Sequence, residues 1–281
     1  MLPDTLGVIG LGAIGGSVAW SAASRGTPRI LGCCRHPRDA VAAAKAGAIT
    51  EIAHGPEDVV RGADFIVLAD PPVAALELLE RLAPLIRERG VVCTDVASVK
   101  APATRLASRM DLADHFAGSH PFVGYENAPF ASARPDLLEQ ALVYVTPTEG
   151  GERAAREVSD FWKRAVGAQP VTLDAVRHDA CVAWTGHLPR AAASVLAAAL
   201  AERGPEGVTY LPSTLEATRP AANDAGRWAE LLWLNREQMA GALEGVESKL
   251  EELRSLLASG TQAELRRWLE DGARWRERFD Q

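Results

Sequence analysis

Apolar residues follow two different rhythms along this 281-residue chain. As far as about residue 173, short unbroken apolar runs alternate with longer stretches whose apolar positions recur every three or four residues. That is the pattern of strands buried on both faces and joined by crossover helices. The runs at 6–9, 29–34, 65–68 and 91–94 are expected strands, and 13–25, 37–46 and 73–86 are expected helices, the second of them ended by Gly47. A strand at 142–145, a helix at 152–166 and an edge strand at 170–173 continue the scheme.

Beyond Asp174 the strand-like runs stop and long Ala/Leu-rich helical segments take over. The expected architecture is therefore α/β, a doubly wound parallel-sheet domain over 1–174 followed by an all-helical domain over 175–281. Pro189 falls inside the helical stretch 175–202 and should kink or break it, because proline removes a helix hydrogen bond. Met239, Leu243, Val246, Leu250, Leu253 and Leu257 recur at alternating spacings of four and three, a heptad-like stripe. Such a stripe packs either on its own domain or against a second copy, and the expectation here is a homodimer built on the helical domain.

Composition narrows the function. The chain is 47% hydrophobic and 24% charged, as ordinary globular proteins are. Its 30 Lys plus Arg against 37 Asp plus Glu leave a net charge of -7, a field that repels a polyanion, so nucleic acid is not expected as a partner. Cys33, Cys34, Cys93 and Cys181 form no CxxC pair, so neither a disulfide framework nor a metal site is expected, and a reducing cytoplasm is the expected setting. No apolar run reaches the roughly 18 residues of a membrane span, and no basic segment leads an apolar one at the start, so neither membrane insertion nor export is expected.

The sharpest motif is Gly10-Leu11-Gly12-Ala13-Ile14-Gly15, a GxGxxG directly after an expected strand and opening an expected helix. Gly10 permits the tight turn, Gly12 admits a pyrophosphate close to the backbone, and Gly15 lets helix and strand approach; Ile14 belongs to the same turn. This is the nucleotide turn of a Rossmann-type domain. NAD enzymes place an acid about 20 residues further on, at the end of the second strand, to hold the ribose hydroxyls. Here that position reads Cys34-Arg35-His36, with Arg38 nearby. An arginine fork suits the extra 2′-phosphate, so NADP is the expected cofactor, with NAD possible.

Four further clusters carry reactive side chains. Asp95-Val96-Ala97-Ser98-Val99-Lys100 follows a strand, putting Ser98 at the carboxyl edge where ligands bind in such sheets. Gly118-Ser119-His120-Pro121-Phe122-Val123-Gly124-Tyr125-Glu126 reads as a Gly/Pro loop carrying a histidine. His178-Asp179 and Gly186-His187-Leu188-Pro189 lie nine residues apart on the helix that follows the first domain. Thr218-Arg219-Pro220-Ala221-Ala222-Asn223-Asp224 sets an arginine between helices.

Taken in order, these motifs resemble those of the prephenate dehydrogenase family of tyrosine biosynthesis, which includes the arogenate and cyclohexadienyl dehydrogenases. Gly186, Arg190 and the pair Phe122-Val123 stand where that family more often has Ser, His and Met-Ala. The resemblance implies an NAD(P)-dependent oxidative decarboxylation of prephenate to 4-hydroxyphenylpyruvate, with arogenate as the alternative substrate. It implies His120 as the base for the 4-hydroxyl and Ser98 as its hydrogen-bonding partner or that of the hydroxyl. Arg219 is implied as a clamp on a substrate carboxylate, His187 and Glu126 as substrate-side residues. Two competing readings share the domain order or the nucleotide turn. A β-hydroxyacid dehydrogenase or imine reductase is disfavoured because hydroxyacid enzymes use a lysine on the interdomain helix, and none lies between Lys163 and Lys249. A sensor that holds NADP without turnover has no use for Ser98, His120 and Arg219 together.

Overall fold

The computed structural model describes residues 2–124, 128–204, 209–222 and 224–279. Its first half alternates strand and helix: β1 (Thr5–Ile9), α1 (Ala13–Ser24), β2 (Arg29–Cys33), α2 (Pro37–Lys45), β3 (Glu51–Ile52), α3 (Pro56–Gly62), β4 (Phe65–Leu68), α4 (Pro72–Arg89), β5 (Val92–Asp95) and α5 (Ala101–Arg109). The five strands form one parallel sheet in the order β3-β2-β1-β4-β5. The chain winds outward from β1 to β3, then returns to the other side of β1 for β4, so the switch point lies between β1 and β4. Ligands of doubly wound sheets bind at that point, outside the carboxyl ends of the strands.

The unbroken apolar runs are explained by burial on both faces. Leu6, Val8, Ile30, Phe65, Val67 and Val92 enter one core with α1 and α6, while Ile9, Leu31, Ile66, Leu68 and Cys93 enter the other with α3, α4 and α5. Successive residues of a strand point to opposite faces, so with helices on both sides neither set can be polar.

A second sheet of three strands follows: β6 (Ala117–Pro121), β7 (Leu142–Pro147), the helix α6 (Glu152–Phe161) and β8 (Gln169–Thr172). β6 and β7 are antiparallel, β7 and β8 parallel. The Cys93 amide donates to the His115 carbonyl at 2.8 Å, tying the approach to β6 onto β5. The Gly/Pro loop expected around His120 is thus corrected to a strand, all five residues of which are buried. Gly118 and Pro121 mimic turn chemistry, but Gly118 is there because a side chain would meet Thr146 Oγ1 at 2.7 Å. The expected elements also lack α3, α5 and the two-residue β3.

The remaining helices are α7 (Ala175–Val182), α8 (Leu188–Arg203), α9 (Pro212–Thr218), α10 (Ala225–Leu234), α11 (Arg236–Ser259) and α12 (Gln262–Glu277). The boundary expected near Asp174 differs from the compact units found. One unit comprises Met1–Val182 with Ala222–Asn235, the other Ala183–Ala221 with Arg236–Gln281. The physical reason is polar anchoring that hydropathy does not register. Buried Asn235, at the end of α10, donates from Nδ2 to the Asp179 carbonyl of α7 at 2.9 Å. Asp179 in turn accepts the backbone N–H groups of Lys100 and Ala101 at 2.7 and 2.8 Å.

The second unit is wholly helical in its regular elements. His187, before α8, is itself helical, so Pro189 lies in a continuing helical stretch, and the five-residue π-helical turn Ala183–His187 directly before it is the interruption of the α pattern expected there. Along α11 the stripe divides: Met239 is buried, whereas Leu250 and Leu257 are exposed. Among the described residues no helix is long and apolar enough to cross a membrane.

Candidate active site

The glycine turn lies at the switch point between β1 and β4. Gly10 has φ +94°, and a Cβ there would lie 2.6 Å from the Ala69 backbone carbonyl carbon, so only glycine fits. A side chain at Gly15 would strike the Gly10 carbonyl. Gly12 caps α1 with no side-chain hydrogen bond, and the first turn of that helix carries no acid, so its dipole is open to an anion at that end, although the Ala13 amide donates to the Ala128 carbonyl at 2.8 Å. A helix N-terminus approached by glycine backbone on one side is a phosphate cradle.

One cavity of about 420 Å³ is lined by the turn, including Ile14, and by Cys34, Arg35, His36, Asp70 and Ser98. Arg227, on α10, lines it as well. Sequence reasoning anticipated the glycines, the residues after β2 and Ser98; it missed Asp70 and Arg227, which carry no motif and reach the cavity only through the fold. Cys34 donates from Sγ to the His36 carbonyl at 3.1 Å, and burial raises its thiol pKa. Arg35 Nε lies 3.7 Å from Asp70 Oδ1. Ser98 is 7% exposed, and its Oγ has no hydrogen-bond partner. An orphaned buried hydroxyl costs roughly 1–3 kcal/mol, which a ligand in the cavity recovers. Cradle, basic residues and waiting hydroxyl together fit a nicotinamide dinucleotide.

Behind the cavity runs a buried polar ladder. Asp95 closes β5 and accepts Lys100 Nζ through both carboxylate oxygens at 2.5 Å; neither side chain has meaningful exposure. Lys100 Nζ also donates to the Ser119 carbonyl at 2.7 Å, and the Ser119 amide donates to Asp95 Oδ1 at 3.0 Å. The pair therefore grips both backbone groups of the residue before His120. Burial pulls the Lys100 pKa down, and the Asp95 charge opposes that fall. Ser119 Oγ is fixed between Thr94 Oγ1, at 2.6 Å, and the indole N–H of Trp162, at 2.8 Å.

His120 stands next on β6, 6% exposed. Its Nδ1 is 3.0 Å from His178 Nε2, and His178 Nδ1 is 2.8 Å from Asp179 Oδ1. Ser98 makes no hydrogen bond to His120, so of the two partners expected for that hydroxyl only a ligand remains. Asp179 accepts backbone N–H groups at both oxygens besides the His178 ring, which fixes it as an acceptor. The motif His178-Asp179 was visible in the sequence; its alignment behind His120 was not, because 58 residues separate the two rings.

The other expected substrate residues belong to the second unit or fall outside the described residues. His187 is buried at the end of the π-helical turn of the second unit. Arg219, also in the second unit, opens a 3₁₀ turn, with an exposed side chain 3.5 Å from Glu216. Glu126 lies outside the described residues.

Comparison with known proteins identifies the family. Residues 21–171 match the family model for the prephenate dehydrogenase nucleotide-binding domain, and 174–271 match that for the prephenate dehydrogenase dimerization domain. The chain belongs to the prephenate dehydrogenase family. The prephenate dehydrogenase of Bacillus subtilis is 26% identical over 265 residues, covering 90% of this chain and 70% of that protein. The cyclohexadienyl dehydrogenase of Zymomonas mobilis is 27% identical over 266 residues, covering 90% and 88%. The crystal structure of Aquifex aeolicus prephenate dehydrogenase with hydroxyphenyl propionate and NAD+ superposes with a TM-score of 0.89 at 26% identity, covering 98% of this chain and 97% of that one. Membership makes the chain a nicotinamide-dependent dehydrogenase, with the two-domain order that the sequence motifs implied.

The buried pair makes a stability prediction. Asp95→Asn leaves the Lys100 ammonium buried without its counter-ion and should lower the unfolding free energy by about 3–5 kcal/mol. Urea denaturation measures this, and an unchanged midpoint would remove the pair from its structural role.

Proposed function

We propose that this protein is a prephenate dehydrogenase, oxidising and decarboxylating prephenate to 4-hydroxyphenylpyruvate with NADP. The observation that carries the reading is the line His120, His178, Asp179, in a chain whose dinucleotide cavity holds an unpartnered serine hydroxyl. Because Asp179 is an acceptor, His178 donates from Nδ1; its Nε2 then accepts from Nδ1–H of His120. That leaves the lone pair of His120 on Nε2, the nitrogen able to take a proton from a substrate hydroxyl. The nicotinamide ring, when bound, supplies the hydride acceptor. As the hydroxyl gives up its proton to Nε2, the carbon that bore it becomes a carbonyl carbon and loses hydride. The bond from the ring to its carboxylate then breaks, its electron pair enters the ring and passes to the carbonyl oxygen, carbon dioxide leaves, and the resulting phenolate oxygen takes back the proton held on His120. The proton on His120 spreads positive charge toward Asp179, which stabilises the imidazolium as it forms. Ser98 Oγ, unpartnered in the cavity wall, hydrogen-bonds the substrate hydroxyl in this reading.

Recognition of the dianionic substrate falls to Arg219 and His187, with Glu126 on the substrate side. Prephenate is preferred over arogenate in this reading because Arg190 replaces the histidine usual in the family and disfavours an ammonium group. Its guanidinium donates to the Pro220 carbonyl at 3.4 Å, next in sequence to Arg219. NADP is supported by the absence of an acid at 34–38, directly after β2, and by Arg35 and His36 in the cavity, whose lining also includes Asp39, the acceptor of the Phe130 amide at 3.4 Å. A homodimer is supported by the match to a dimerization domain and by Leu250 and Leu257 exposed on α11. Cys33, Cys34, Cys93 and Cys181, none of them in a disulfide, support a reducing cytoplasm.

Steady-state kinetics with prephenate and arogenate, each against NADP and NAD, test the assignment. The highest kcat/KM should be for prephenate with NADP, and a tenfold preference for arogenate, about 1.4 kcal/mol, would overturn the substrate. His120→Asn should lower kcat by roughly 10² to 10⁴ while NADPH still binds; near wild-type turnover would remove the base. Light scattering should give about twice the 29.9 kDa chain mass, and a monomer at micromolar concentration would refute the dimer.

A further inference from the structure

We propose that Asp70 is a specificity-determining residue for the cofactor: by holding Arg35 it limits how strongly the enzyme prefers NADP over NAD. The inference rests on the reading above that Arg35 meets the 2′-phosphate, and it adds a residue on a different strand that no motif marks.

Asp70 follows β4, directly across the switch point from the glycine turn. Its place is fixed by backbone, because the Ala69 amide donates to the Ile9 carbonyl at 2.6 Å and a Cβ on Gly10 would lie 2.8 Å from the Asp70 nitrogen. The carboxylate is only 10% exposed, whereas the Arg35 side chain it faces is 68% exposed. Burial raises the Asp70 pKa, and Arg35 and His36 pull it back down. The two basic residues assigned to a 2′-phosphate are therefore the two that also act on this acid. Arg35, Cys34 and Asp70 are also the residues shared by the cradle cavity and a neighbouring one of about 550 Å³ between β2 and α4.

The consequence is electrostatic. A 2′-phosphate that engages Arg35 draws it from Asp70 and leaves a buried carboxylate in the field of a dianion, with less positive charge to share. A 2′-hydroxyl brings no charge and leaves the Arg35–Asp70 pair intact. The acid that NAD enzymes place at the end of β2 is thus replaced here by one at the end of β4, which acts through the arginine that occupies the usual place. Neutralising Asp70 frees Arg35 and removes the repulsion, so it strengthens NADPH binding and leaves NADH binding nearly as it was.

The test is direct titration of NADPH and NADH by cofactor fluorescence on the full chain, with wild type, Asp70→Asn, Asp70→Ser and Arg35→Ala. Asp70→Asn and Asp70→Ser should each lower the NADPH dissociation constant about tenfold relative to that of NADH, and Arg35→Ala should raise it by at least as much. Retained NADH binding shows that each variant keeps its cradle. If Arg35→Ala weakens NADPH selectively but both Asp70 variants leave the ratio unchanged or lower the relative affinity for NADPH, Asp70 does not set specificity while the Arg35 reading stands. If Arg35→Ala affects both cofactors alike, the Arg35 reading fails and the role of Asp70 fails with it.

Discussion

The buried ion pair between Asp95 and Lys100 is the constraint on which the rest of the site depends. It stands at the end of the last parallel strand, where the first sheet hands over to the second, and it binds both backbone groups of Ser119. Two charges removed from water cost several kcal/mol each, and their attraction alone does not reliably recover that. The geometry does so here by using the remaining hydrogen-bonding capacity: the ammonium also serves a carbonyl, and the carboxylate also serves an amide. What the pair secures is the position of β6, and so of the histidine that follows Ser119. An apolar pair of the same volume could fill the space but could not hold a strand by its backbone at one register.

A second carboxylate repeats the device. Asp179 takes the first amides of α5 with its two oxygens and the His178 ring with one of them. The start of α5, the α7 helix and the ring behind His120 are thereby referred to one anion. Asn235 extends the same reference to the end of α10. That is why α7 and α10 belong to the nucleotide-binding unit although the helical composition of the chain starts before them.

The legibility of this protein in its sequence follows the same division. Strands buried on both faces announce themselves as unbroken apolar runs, and the glycine turn is readable because backbone geometry tolerates nothing else at Gly10 and Gly15. Ser98 was readable from its place after a strand. The strand carrying His120 was not, since Gly118 and Pro121 suggest a turn and the residues between them are polar; what makes it a strand is pairing with β7, a contact distant in sequence. Asp70 and Arg227 were invisible for a related reason. Each reaches the cavity through topology, one from the strand across the switch point and one from a helix some 150 residues later. Local pattern carries elements and turns; a cavity wall assembled from three separate returns of the chain leaves no local trace.

The ladder also explains why the proton acceptor can be a buried histidine in an acidic protein. A buried imidazole alone resists protonation, because desolvation disfavours the charged form. Placed at the end of a chain of two rings and a carboxylate, the cation that forms on His120 is shared toward a negative charge already held by backbone amides. Asp179 accepts backbone amides at both oxygens and the His178 ring at one, while the Lys100 ammonium makes its hydrogen bonds to Asp95 and the Ser119 carbonyl. Two carboxylates that meet the chain at the start of α5 thus do different work: one pairs with an ammonium and fixes the backbone of Ser119, the other takes the first amides of the helix and the ring of His178. Exchanging the partners would leave the line of histidines without its carboxylate.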